Sequence, residues 1–146
     1  MRKVAALFAG LLLLATIVIP SAYAAGWRSG EEIIIEEGQV VDDDLYISAS
    51  KVVVNGTLKG DLIGMARQII INGTVEGDLI AAAQIISING RIGDDARVAG
   101  MVITVGEGAS IGDDLLAGCY SLELKSGSHV GGELRWGSNQ ALLAGE

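Results

Sequence analysis

From Ile33 onward the chain alternates apolar and polar positions in a pattern that returns at a fixed interval. An aliphatic residue stands three places before an acid at Val41/Asp44, Leu58/Asp61, Val75/Asp78, Ile92/Asp95, Ile111/Asp114 and Val130/Glu133, giving six copies spaced 17, 17, 17, 19 and 19 residues apart. Directly after each acid comes a mostly apolar residue (Leu45, Leu62, Leu79, Ala96, Leu115, Leu134), and two positions on a second one (Ile47, Gly64, Ala81, Val98, Ala117, Trp136). That is strand alternation, with both columns facing inward. A second alternating pair begins eight residues beyond the acid, at Val52/Val54, Ile69/Ile71, Ile86/Ile88, Ile103/Val105 and Leu122/Leu124. The residue between its members becomes Ser87, Thr104 and Glu123 in later copies and so points to water.

The change of interval is confined to one corner. The short form is "NGT" or "NGR" at Asn55, Asn72 and Asn89; the long form is "EEGQV" after Ile35, "GEGAS" after Val105 and "KSGSH" after Leu124. Asn-Gly pairs and the central glycine of each long form tolerate positive φ, which marks these stretches as tight turns. Because only a turn is edited, the strands keep a register in which a one-residue slip would reverse every side chain.

One circuit thus holds two alternating strands and a short anchor segment separated by three corners, and successive circuits stack like on like. The pattern predicts an all-β fold, a single-stranded parallel β-helix (solenoid) of about six coils. With coils about 4.8 Å apart, it makes a rod roughly 29 Å long around an aliphatic core. A left-handed hexapeptide helix would place apolar residues every sixth position, whereas the inward columns here fall at offsets 0, 4, 6, 11 and 13. An antiparallel sandwich would not repeat column identity through six copies.

The N-terminus follows another rule. "MRK" supplies positive charge, "VAALFAGLLLLATIVIP" is an unbroken apolar run, and small residues at Ala22 and Ala24 form an A-x-A site. This predicts a secretory signal peptide over residues 1–24, cleaved after Ala24; the alternative is a retained membrane anchor. Residues 25–32 then read as a short linker and 33–146 as the β-helix domain. Loss of Arg2 and Lys3 would take the formal net charge from −8 to −10, a surface that repels phosphate backbones. Few aromatic residues also leave few stacking platforms, so nucleic acid is not an expected partner. Cys119 is the single cysteine and cannot form an internal disulfide.

The segments "VNGTLKGDL", "INGTVEGDL" and "INGRIGDDARV" resemble the bactofilins, the polymer-forming cytoskeletal proteins with a β-helix core of short Gly-Asp-aliphatic repeats. The resemblance covers about residues 33–143. It implies a rod that uses no nucleotide and no cofactor, is not an enzyme, and joins end to end with itself into a polymer near membrane or cell wall. Typical members are cytosolic. The signal peptide here implies an exported relative, periplasmic, extracellular or at the cell surface, organising the envelope.

Three groups of residues are candidate sites. The acidic column Asp44, Asp61, Asp78, Asp95, Asp114 and Glu133 could hold Ca²⁺ through stacked carboxylates, or each acid could cap the amides of its own corner. The nine-residue Gly-Asp loop of calcium-binding rolls is absent, and solvated carboxylates at about 4.8 Å repel by only about 0.9 kcal/mol, which favours capping over metal. For self-assembly, Leu134, Trp136, Ala141 and Leu143 mark one end of the rod and Ile33, Ile35 and Val41 the other, since a solenoid ends in unpaired edges unless capped. Trp136 would either plug the core or meet a neighbouring copy. His129 and Cys119 lack partners of matching chemistry and read as a loop residue and a small-residue substitute. No catalytic residues are assigned. A wall-polysaccharide-binding adhesin is the second functional reading, and a polysaccharide lyase or hydrolase the third, disfavoured because no long loops wall a cleft.

Overall fold

A computed structural model describes residues 26–146; the expected signal peptide and its cleavage point at Ala24 lie outside the described residues. In chain order the strands are β1 (Trp27–Ile35), β2 (Val40–Val41), β3 (Leu45–Val54), β4 (Thr57–Leu58), β5 (Leu62–Ile71), β6 (Thr74–Val75) and β7 (Leu79–Ile88). There follow β8 (Arg91–Ile92), β9 (Ala96–Val105), β10 (Ser110–Ile111), β11 (Leu115–Leu124), β12 (His129–Val130), β13 (Leu134–Gly137) and β14 (Gln140–Leu143). All pairing is parallel. The long strands stack as β1-β3-β5-β7-β9-β11-β13, with β14 also on β11, and the two-residue strands stack as β2-β4-β6-β8-β10-β12. The described residues form an all-β parallel solenoid of about seven turns.

Register follows the repeat. Leu45 pairs with Leu62, Leu62 with Leu79, Leu79 with Ala96, Ala96 with Leu115, and Leu115 with Leu134. The narrow sheet does the same through Leu58, Val75, Ile92, Ile111 and Val130. Leu58, Val75 and Ile92 are each 0% exposed, as are Val52, Ile69, Ile86 and Ile103 in the next column. Each fully buried aliphatic side chain contributes about 1.5–3 kcal/mol, so the stacked columns are the main source of stability in a chain without disulfides.

Two features depart from the sequence reading. The two alternating stretches of each circuit form one continuous strand of ten residues, bent where Ser50, Arg67, Gln84, Met101 and Tyr120 drop out of the ladder, all exposed at that corner. Residues read as linker are also part of the rod: Trp27 pairs with Tyr46, Arg28 with Ile47 and Glu32 with Lys51, so β1 adds a rung. The inward positions of that half-rung are Arg28 and Gly30, so it carries no aliphatic signal.

The corners are built in two ways. In the long form, the Gln39, Ala109 and Ser128 amides donate back to the Glu36, Gly106 and Lys125 carbonyls, and Gly38, Gly108 and Gly127 take φ of 80°, 70° and 76°. This is the third position of a turn that needs left-handed backbone. In the short form the glycines do not have positive φ. Instead the Asn72 and Gly73 amides both donate to the Val54 carbonyl at 2.8 Å, and a Cβ on Gly73 would overlap the Gly56 carbonyl of the coil before. Glycine is required there for close stacking, not for turn handedness.

Candidate functional site: the acidic ladder and the open end

The acids lie at the corner between the narrow sheet and the long strands. Each of the five aspartates uses one oxygen to bind the next coil. The Asp61 amide donates to Asp44 Oδ1 (2.9 Å), Asp78 to Asp61 Oδ1 (2.8 Å), Asp95 to Asp78 Oδ1 (3.0 Å), Asp114 to Asp95 Oδ1 (2.9 Å) and Glu133 to Asp114 Oδ1 (2.7 Å). The acids therefore cap the amide of their counterpart one circuit on, not the amides of their own corner. Parallel, in-register stacking places the next coil's corner directly above each aspartate.

The preceding glycine completes the arrangement. A Cβ on Gly60, Gly77 or Gly132 would overlap the carboxylate of Asp44, Asp61 or Asp114 respectively, so the glycine leaves the space that the carboxylate occupies. At these three positions the Gly-Asp pair is thus a two-coil device, whereas Asp94 and Asp113 stand in the glycine's place before Asp95 and Asp114. Arg97 draws on a second oxygen from two of the acids, bonding Asp95 Oδ2 at 2.5 Å and Asp78 Oδ2 at 3.3 Å. Arg135 pairs with Glu133 in the last coil, and this contact raises the guanidinium pKa. A parallel ladder of amides runs along the short corners, where Asn72 Nδ2 donates to Asn55 Oδ1 and Asn89 Nδ2 to Asn72 Oδ1, both at 2.9 Å. Among the described residues no group of three or more His, Cys, Asp or Glu is disposed to hold a metal ion.

The two ends of the rod differ. At the C-terminal end Leu134 is half-buried, Trp136 is 46% exposed, Leu143 is 40% exposed and Ala141 is exposed, although all four stand in columns that are buried in preceding coils. Trp136 pairs in register with Ala117 and lies over the last small position of its column. The tail continues the circuit only at its backbone: the Ala144 amide donates to Leu124, Glu146 to Ser128, and the Glu146 carbonyl accepts from Val130. At the N-terminal end Ile33 is 7% exposed, Ile35 is fully buried and Val41 is half-buried. Among the described residues no strand pairs the outer edge of β1, and that backbone edge is chiefly what this end offers a neighbour, with Arg28 half-buried over Ile47.

His129 and Cys119, the other two residues that the sequence singles out, stand on different strands. His129 is exposed on β12 beside Ser110 and, among the described residues, belongs to no group of three or more potential metal ligands. Cys119 is half-buried against the core in the column of Ala49, Ala66, Ala83 and Gly100, and burial pushes its thiol pKa up. Val53 and Ile70 are neighbours on the outward side and half-buried, while Lys51 and Lys59 pair with Glu32 and Asp42. Compared with family models, with curated proteins and with solved structures, the chain finds no match in any of the three.

Proposed function

We propose that this chain is an exported, non-enzymatic building block of the bactofilin kind that joins end to end with itself into a polymer or scaffold at the cell envelope. The observation that supports this reading is the open C-terminal rung, where Trp136, Ala141 and Leu143 stand exposed in core columns beside a parallel strand edge that is unpaired among the described residues. An edge of that kind adds another strand readily, and the exposed apolar side chains gain burial when it does. Ile33, Ile35 and Val41 belong to the opposite end, where the β1 edge supplies the complementary backbone groups.

Negative-stain microscopy of the protein purified from its own secretion route tests the proposal. The expected result is rods longer than one molecule at tens of micromolar, shortened to single units by Trp136→Asp together with Leu143→Asp. Wild-type protein that stays strictly monomeric at that concentration, with and without added calcium, contradicts it.

A further inference from the structure

The two ends of the rod carry the same pair of side chains in opposite order: Trp27-Arg28 on the first rung and Arg135-Trp136 on the last. Trp27 heads the outward column that passes through Ile80 and ends at Arg135. Arg28 heads the inward column that passes through Ala81 and ends at Trp136. Each column therefore has an indole at one end and a guanidinium at the other. Trp27 is 62% exposed and Trp136 46%, so both rings are open to a partner.

We infer, resting on the end joining proposed above, its polarity and register: copies join head to tail, the β1 edge of one continuing the β13 and β14 edge of the last in the same parallel register. Arg28 of the next copy then stacks on Trp136, and Trp27 of the next copy comes beside Arg135, two cation–π contacts from one junction. Arginine suits this place, because its planar guanidinium stacks on rings and is more weakly hydrated than an ammonium. Leu134–Gly137 is followed by residues 26–29 of the next copy, and Gln140–Leu143 by residues 32–35. Ala141, Leu142 and Leu143 thus cover Ile33, Ile34 and Ile35, and the Gln140 amide comes beside the Glu32 carboxylate. The junction sets eight residues of β13 and β14 against the β1 edge, as many as the register positions that β1 shares with β3. On the narrow side the tail already lies on Ser128 and Val130, so only the long-strand edges have to meet.

Charge selects the same polarity. By side chains, residues 26–44 carry seven acids and one base, whereas residues 125–146 carry two of each. Head-to-head joining would set one strongly acidic end against another at every second joint. Head to tail, each acidic end meets one of balanced charge, and the repulsion between whole chains of net −8 is screened over about 8 Å at physiological salt. Neither head-to-head nor tail-to-tail joining brings Arg28 to Trp136.

The test is disulfide trapping within assembled polymer of the full chain, as the cell processes it, carrying Cys119→Ser. Chains with Ser29→Cys are mixed with chains with Gly137→Cys. Both positions are exposed, a Cβ at Gly137 meets nothing within 4 Å, and the inferred register sets them one rung apart, about 4.8 Å. Gly118→Cys is the control, equally free of contacts and in the same column, but a rung further away at about 9.6 Å and beyond disulfide reach. The expected result is covalent dimer about tenfold faster with Gly137→Cys than with Gly118→Cys, and none from Ser29→Cys alone. Polymer that forms while Gly137→Cys reacts no faster than the control, or while Ser29→Cys cross-links to itself, overturns the polarity and register and leaves end joining standing. Absence of polymer overturns both. A second arm reverses the ring contact: Arg28→Glu is expected to cut sedimented polymer about tenfold, and adding Trp136→Arg to restore most of it, because opposite charges then face each other across the joint. No recovery in chains whose circular-dichroism melt matches wild type overturns the contact between Arg28 and Trp136.

Discussion

A carboxylate such as that of Asp61 is held by the fold and in turn holds it: Asp61 Oδ1 accepts the Asp78 amide, and Gly77 leaves the space in which it sits. Removing the acceptor while keeping the amide part-buried costs about 1–3 kcal/mol, so Asp61→Ala is expected to lower stability by that amount in urea unfolding. Asp61→Asn, which keeps an acceptor oxygen, is expected to lose less than half as much; equal losses would place the effect elsewhere than in this bond. Gly73 provides a second check, because its glycine is needed for contact with the Gly56 carbonyl and not for φ. Gly73→Ala should cost about 1–3 kcal/mol through overpacking, although its backbone angle suits alanine. The Cys119 thiol, with its pKa raised by burial, holds less thiolate at pH 8 than an unhindered cysteine. Iodoacetamide should therefore alkylate it more slowly than a cysteine peptide under the same conditions. At this scale the sequence revealed which positions are acids and glycines, but not that their partners lie one coil away, because hydrogen bonds across 17 or 19 residues leave no local pattern.

Among the elements, the strands are rigid in register and the corners are not. Seventeen- and nineteen-residue circuits differ only between the end of a long strand and the next two-residue strand, where the long form closes a turn on Gly38, Gly108 or Gly127. Replacing Asn72-Gly73-Thr74 by the five residues Gly106–Ser110 should therefore leave a cooperative melt within about 1 kcal/mol of wild type, since a slightly longer loop adds little closure entropy. Inserting one residue between Ile69 and Ile70 should abolish the melt, because it turns the remainder of β5 inside out. Circular dichroism against temperature distinguishes the two. The inward columns were legible because aliphatic residues recur there, and β1 was not, because Arg28 and Gly30 occupy its inward places. The continuity of the ten-residue strands was equally hidden: Ser50, Arg67, Gln84, Met101 and Tyr120 share no chemistry that would mark a gentle bend.

For the whole molecule, the dry columns make one core, so damage at its centre should be felt everywhere. Ile92→Ala is expected to cost about 2–5 kcal/mol, with the thermal transition remaining a single step. The seventh turn and the inequality of the two ends emerged only from the stacking. Sequence placed Ile33 and Ile35 among the end residues, and their burial leaves Trp136, Ala141 and Leu143 as the exposed apolar set. The most direct measurement of the assembly is a cryo-electron-microscopy reconstruction of the polymer formed by the processed chain. The account predicts that strand spacing of about 4.8 Å continues without a break across the junction, with β13 and β14 of one copy against a strand edge of the next and Trp136 enclosed. A polymer in which the rods meet only along their sides, leaving the Trp136 ring in solvent, would contradict it.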